Sequence, residues 1–335
     1  MAALSTSSAL DMSVRIGSAL LKNPIIAASG CYNRGAEYSR VTDISQYGAI
    51  TLKSVTRQPR LGNEMPRTMS TPAGMLNAIG LQGPGIEYFL KADAPALAHV
   101  PTAVIASVAG FTVEEFAYVA ERMDGIPNVV ALELDVSCPN VDREGECFAA
   151  QPSSIAAVVA AVKKRARLPV IAKLMPNVSD LKPIAKAAQE AGADALSLIN
   201  AVRGIAIDVK NALPLLANVT GGLTGPAIRP IAVHAVWEVA SAVTIPLIGM
   251  GGIETGRDAL EFLFAGAGAV AIGTANFRRP DVHMEVLAGI VAEMRGRGCE
   301  RVTSLTGLAN PRFAGSRSVE AAVARPKTHL EGAHE

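Results

Sequence analysis

Cysteine is scarce in this chain. The four present, Cys31, Cys138, Cys147 and Cys299, form no CxxC pair and no cluster with histidine, which argues against a zinc site, an iron–sulfur cluster or a disulfide framework. No metal site is expected, and a reduced, cytoplasmic setting fits such thiols best. An excess of either charge is also missing, since 31 Lys and Arg against 30 Asp and Glu leave a formal net charge of +1. That offers no basic stripe for nucleic acid and no acidic tail, so small molecules or another protein are the expected partners. No window of about 18 apolar residues occurs. The opening stretch MAALSTSSALDMSVRIGSALLKNP has no continuous apolar core, so neither a membrane span nor a secretion signal is expected. Low-complexity tracts and short-period repeats are absent as well.

What the chain has in quantity is short apolar runs. Half of its 335 residues are apolar, and β-branched or apolar runs recur, each followed by a polar or glycine-rich turn and a segment with helical spacing. Eight can be counted: NPIIAASG, GAITLKS, TAVIASVAG, VVALELDVS, LPVIAKLMP, ADALSLINA, IPLIGMGG and GAVAIGTAN. Nearly continuous apolar strands alternating with helices predict a parallel sheet, and eight of them predict closure into a single (β/α)8 TIM barrel of the α/β class. The expected boundaries are a barrel over residues 1–309 and a polar extension over 310–335, where the strand–helix rhythm is lost. Residues 54–89 form the longest insertion without that rhythm, rich in Pro, Gly and Met. They are expected to be a long loop after the second strand that covers the barrel mouth.

A barrel of this kind gathers the residues that follow its strands at one mouth. Lys53, Asp135 to Asn140, Lys173, Asn200, Gly251, Gly252, Gly273 and Thr274 all hold such positions. The glycines after the last two runs, with Thr274, suit a phosphate, because backbone without a side chain can approach its oxygens closely. Tight strand-to-helix turns would use the same glycines. Lys53 and Lys173 each interrupt an apolar strand and point into the mouth, where a buried ammonium needs an anion; a solvated lysine at a strand end is the plainer reading. Cys138, in DVSCPN, is either a small core residue or, at this face, a proton acceptor. His99, His234, His283, His329 and His334 lie in helical segments or the tail. A lone cysteine acting as acid and base is therefore favoured over a cysteine–histidine dyad.

Five segments carry a family likeness: TLKSVTRQPRLGNEMPRTMSTPAGMLNAIGLQGPG, DVSCPNV, ANVTGGLTGPAIRPIAV, IPLIGMGGI and AVAIGTANF. In their order and spacing the chain resembles the FMN-dependent dihydroorotate dehydrogenases of class 1B, from about Val14 to about Gly307. The resemblance implies FMN over the mouth, with its phosphate at Gly251, Gly252, Gly273 and Thr274. The rest of the flavin would touch Ala28, Ser29, Gly30, Lys53, Ser54, Lys173, Asn200 and Gly225. It also implies Cys138 as the base that takes a proton from dihydroorotate while a hydride leaves for the flavin. The substrate carboxylate would be gripped by Lys53 and the loop Asn77, Ala78, Ile79, Gly80 and Leu81. The pyrimidine edge would meet Asp135, Asn140, Asn200 and Ala201.

Two of these positions depart from the family pattern, Asp135 standing for an asparagine and Ala201 for a hydroxyl residue. An ionised aspartate only accepts hydrogen bonds, whereas an amide also donates. Weak orotate binding is therefore expected, and a different carboxylate-bearing heterocycle or unsaturated acid stands as the alternative substrate. A homodimer and an electron-transfer subunit carrying FAD and an iron–sulfur cluster are further implications of the resemblance. This chain itself has no dinucleotide fingerprint and no clustered cysteines for those groups. A catalytically silent flavin-binding subunit, or a flavin-free phosphate-binding isomerase or lyase, stays open on the residues alone.

Overall fold

The structure is a computed structural model that describes residues 10–32, 38–136 and 148–313. Each of the eight apolar runs supplies one strand of a closed parallel barrel. The strands are β1 Ile25–Ala27, β2 Ala49–Thr51, β3 Ala103–Val108, β4 Val129–Leu134, β5 Val170–Leu174, β6 Ala195–Leu198, β7 Leu247–Met250 and β8 Ala269–Ile272. They read as unbroken apolar runs because one face fills the barrel and the other packs under helices. Closure is made by β8 beside β1, with Ala271 opposite Ile26. Two registers place polar groups for the site: Ser107 pairs with Glu133 across β3 and β4, and Lys173 pairs with Ser197 across β5 and β6.

Among the described residues the six longest helices are α1 Val113–Glu121, α2 Pro152–Arg165, α3 Lys182–Glu190, α4 Arg229–Ala240, α5 Gly256–Ala265 and α6 Val282–Arg297, packed outside the strands. Local sequence starts them. The Thr112 hydroxyl accepts the Glu115 N–H ahead of α1, proline stands in the first turn of α2, α3 and α4, and Thr255 with Asp258 forms a reciprocal capping box on α5. α5 and α6 cross backbone to backbone at Gly256 and Gly289, where a Cβ on Gly256 would lie 2.6 Å from the Gly289 Cα. Strict alternation is interrupted among the described residues: β1 is followed by short 3-10 turns at Tyr38–Arg40 and Ile44–Gln46, and β2 by the long insertion.

That insertion is more than a loop. Its strands Thr68–Thr71 and Gly74–Asn77 join Gly221–Thr224 and Val202–Gly204, which follow β6, in a four-stranded antiparallel sheet. At the opposite end of the barrel the hairpin of Val14–Ile16 with Ala19–Leu21 buries Val14, Ile16 and Leu21, its turn at Gly17 resting on Pro169 and Asp194. Residues 310–313, which the lost rhythm assigns to an extension, are seated on the barrel. The Asn310 amide donates to the carbonyls of Trp237 and Ala265, and the Arg312 guanidinium to those of Ala240 and Val243, satisfying helix-end acceptors of α4 and α5. Residues 314–335 lie outside the described residues. Among the described residues no helix is long and apolar enough to cross a membrane.

Candidate active site

The strand ends and the antiparallel sheet enclose a cavity of about 560 Å³, inside the range of about 300–1,000 Å³ usual for small-ligand sites. Most of the residues singled out in the sequence meet there. Ala28, Ser29 and Gly30 line it after β1, Lys53 and Ser54 after β2, and Asp135 after β4. Lys173 enters from β5, Asn200 and Ala201 follow β6, and Asn77, Ile79, Gly80 and Leu81 come from the insertion. Gly225, Gly251, Gly252, Gly273 and Thr274 complete the wall. Ala78 is the exception: its side chain is buried with Leu76 and Leu216, and its N–H donates to the Arg67 carbonyl at 2.8 Å, so neither reaches a ligand. Cys138 and Asn140 lie outside the described residues.

Lys173 has its anion within the protein. Glu133, on the neighbouring strand and only 3 % exposed, places Oε1 3.4 Å from the Lys173 ammonium, while its Oε2 accepts the Ser197 hydroxyl at 2.9 Å. Burial works to lower the lysine pKa, but the Glu133 and Asp135 carboxylates outweigh it and the net shift is upward. Lys173 therefore enters the cavity floor as a fixed cation. Sequence reading missed Glu133, because its partner Lys173 is brought to it only by the pairing of β4 with β5.

Asp135 is held in the same way. Its Oδ2 accepts the Ser54 hydroxyl at 2.9 Å, Ser54 lies 2.9 Å from the buried Ser107 hydroxyl, and the Asn200 amide nitrogen stands 3.5 Å from Oδ1. Asn200 turns its own carbonyl oxygen to the Ala201 N–H at 2.8 Å, which fixes the amide's orientation. Ala201 in turn sits against Gly222, whose added Cβ would come within 2.4 Å of the alanine Cβ.

Lys53 differs from Lys173. Its ammonium makes no ion pair among the described residues, and its only hydrogen bond there is a long one to the Gly80 carbonyl at 3.4 Å. It is a cation without a carboxylate, next to the Asn77–Leu81 loop, and so is suited to an anionic ligand. Across the cavity the glycine turns form a cradle. Gly252 has φ +73°, and a Cβ there would collide with the Gly225 carbonyl oxygen at 2.7 Å; Gly225, at φ +94°, would collide with Gly74 at 2.6 Å. This backbone-walled end accepts a group that side chains would exclude, which fits the phosphate of a nucleotide cofactor. Thr68, Met75, Gly222, Thr224, Ile228 and Phe277 also line the cavity. They escape sequence reading because the antiparallel sheet brings in the first four and a helix turn the others.

The profile of the dihydroorotate dehydrogenase family matches residues 11–294. A protein of Desulforudis audaxviator named dihydroorotate dehydrogenase B (NAD(+)), catalytic subunit, is 51 % identical over 297 residues, covering 89 % of this chain and 97 % of the relative. A Geobacillus kaustophilus protein of the same name is 48 % identical over 296 residues, covering 88 % and 95 %.

Proposed function

Because the chain belongs to the dihydroorotate dehydrogenase family, we propose that it oxidises dihydroorotate to orotate with FMN as its cofactor. The observation that carries this reading is the division of the cavity into two ends, a Lys53 ammonium that makes no ion pair among the described residues and reaches the Gly80 carbonyl, and a glycine cradle at Gly225, Gly251 and Gly252. When bound, FMN supplies the acceptor for a hydride. Gly251, Gly252, Gly273 and Thr274 would hold its phosphate, and Ala28 to Gly30, Ser54, Lys173 and Asn200 its remaining parts. Lys173, kept cationic by Glu133, places a positive charge on the cavity floor, where it stabilises negative charge that develops during the reaction.

Lys53 binds the substrate carboxylate, and Asn77 with the Ile79–Leu81 backbone closes around it. Asn200 and Asn140 meet the ring. Cys138 removes the proton from the carbon adjacent to the one that loses hydride, a task suited to a thiol, whose ordinary pKa is about 8.5. The two departures from the family pattern do not call for another substrate. Both Asp135 oxygens face protein donors, Ser54 and Asn200, so its carboxylate is satisfied before a ligand arrives. Weak orotate binding is accordingly no longer expected. Asp135→Asn should change orotate affinity by less than about 1 kcal/mol, since the Ser54 hydroxyl can rotate to accept from an amide. Orotate titration followed by flavin absorbance measures it.

The named relatives are catalytic subunits, and we propose that this chain likewise hands electrons to a separate subunit bearing FAD and an iron–sulfur cluster, and works as a homodimer in the cytoplasm. The deciding experiment for the activity is anaerobic mixing of the purified yellow protein with dihydroorotate. Bleaching of the flavin with release of orotate is expected; a flavin that stays oxidised under saturating dihydroorotate would sink the proposal.

A further inference from the structure

Behind the turn that follows β8 lies a buried polar cluster whose residues do not line the cavity. Asn276, Tyr32 and Tyr47 are all fully buried. The Asn276 Oδ1 accepts the Tyr47 hydroxyl at 2.6 Å and the Tyr32 hydroxyl at 3.2 Å, while its amide nitrogen donates to the Ile272 carbonyl at 2.8 Å. The Asn276 backbone N–H donates to the Gly273 carbonyl at 3.0 Å. Tyr47 is itself clamped, stacked on His283 of α6 with ring centroids 4.1 Å apart and bonded through its carbonyl to the Thr102 hydroxyl.

Asn276 thus engages two successive carbonyls: that of Ile272 through its side-chain amide, beside the Ala28 N–H that the same carbonyl accepts at 2.9 Å in the barrel ladder, and that of Gly273 through its backbone N–H. In a planar trans peptide the N–H points opposite to the C=O. Drawing the Ile272 carbonyl towards Asn276 turns the Gly273 N–H the other way, and drawing the Gly273 carbonyl does the same to the Thr274 N–H. Asn276 is on the buried side, whereas Gly273 and Thr274 line the cavity. We propose that Asn276 is a positioning residue that aims the Gly273 and Thr274 N–H groups at the cofactor phosphate, with Tyr47 and Tyr32 fixing its amide. This rests on the reading that FMN is bound with its phosphate at that turn.

The test compares FMN with riboflavin, which has the same ring but no phosphate, each titrated by fluorescence quenching into the full chain stripped of flavin. The parent should prefer FMN. Asn276→Leu, which is close in volume and uncharged but loses the amide donor, should weaken FMN by about tenfold and leave riboflavin unchanged. A merely structural role would weaken both flavins alike, and an unchanged FMN-to-riboflavin ratio in the variant would overturn the proposal. If the parent itself showed no preference for FMN, the phosphate reading beneath it would be what failed. Should Asn276→Leu not fold, Tyr47→Phe carries the same comparison, because it removes only one of the two hydroxyls that orient Asn276. A loss of about threefold confined to FMN is expected there, and an unaltered ratio again overturns the proposal.

Discussion

At the scale of single residues, the two cavity lysines show how position decides use. Lys173 is paired with Glu133 inside the barrel, whereas Lys53 has no carboxylate among the described residues and is left for a ligand. Removing one member of a buried pair costs about 3–5 kcal/mol because the other charge is left uncompensated. Glu133→Gln keeps the side-chain volume, yet it should lower stability towards that range, read as a fall in the urea midpoint. Cys138 is different, since its proposed role is in the proton transfer alone. Cys138→Ala should keep the flavin spectrum and slow flavin reduction by about 10²–10⁴-fold, the usual share of a positioned acid or base. Stopped-flow reduction at saturating substrate measures it, and a parental rate would assign the base elsewhere.

At the scale of elements, the start of α5 joins fold to site. Asp258 accepts the N–H groups of Glu254 and Thr255 at 3.0 and 2.9 Å and pairs with Arg229 of α4, directly after the Gly251–Gly252 turn. Asp258→Ala would unmake the cap and leave Arg229, among the described residues, with the half-exposed Glu261 as its ion-pair partner. Loss of about 2–4 kcal/mol is expected from cap and ion pair together, and flavin should dissociate more readily because the turn loses its anchor. Denaturation and flavin release measured on the same sample would check both.

The elements also show what could be read beforehand. All eight apolar runs became barrel strands, since burial on both faces writes itself into sequence as unbroken hydrophobicity. The antiparallel sheet left no such trace. Its strands are three or four residues long and partly exposed, and Asn77 meets Gly222 across 145 positions, so no local pattern specifies the pairing. Strand-end lysines and glycines were legible because barrel geometry sends them to one place. Glu133 and Asn276 were not, because their roles depend on a neighbour supplied by the closed fold.

At the scale of the whole molecule, alkaline pH is the weak side. Burial pushes the Cys31 thiol up to about 11, against about 8.5 for a free cysteine in the unfolded chain. Between these values the native state keeps a proton that the unfolded state has lost, so stability is full below the lower value and declines as pH rises towards the upper. The raised Lys173 acts in the same direction at still higher pH. Urea midpoints should therefore fall with pH in this window, and Cys31→Ala should flatten the decline; an identical slope in the variant would assign it to other groups.

The sheet over the mouth has a consequence for the order of biosynthesis. Asn77 leaves the ribosome long before Gly222, its hydrogen-bonded neighbour, has been synthesised. The Asn77–Leu81 loop, proposed to grip a carboxylate, can therefore take its final place only after translation has passed β6, and the strands that complete the glycine cradle, β7 and β8, come later still. A nascent chain halted near residue 200 has half a roof and no cradle. Cofactor capture belongs to the finished polypeptide, and flavin supplied during synthesis finds its seat only at the end.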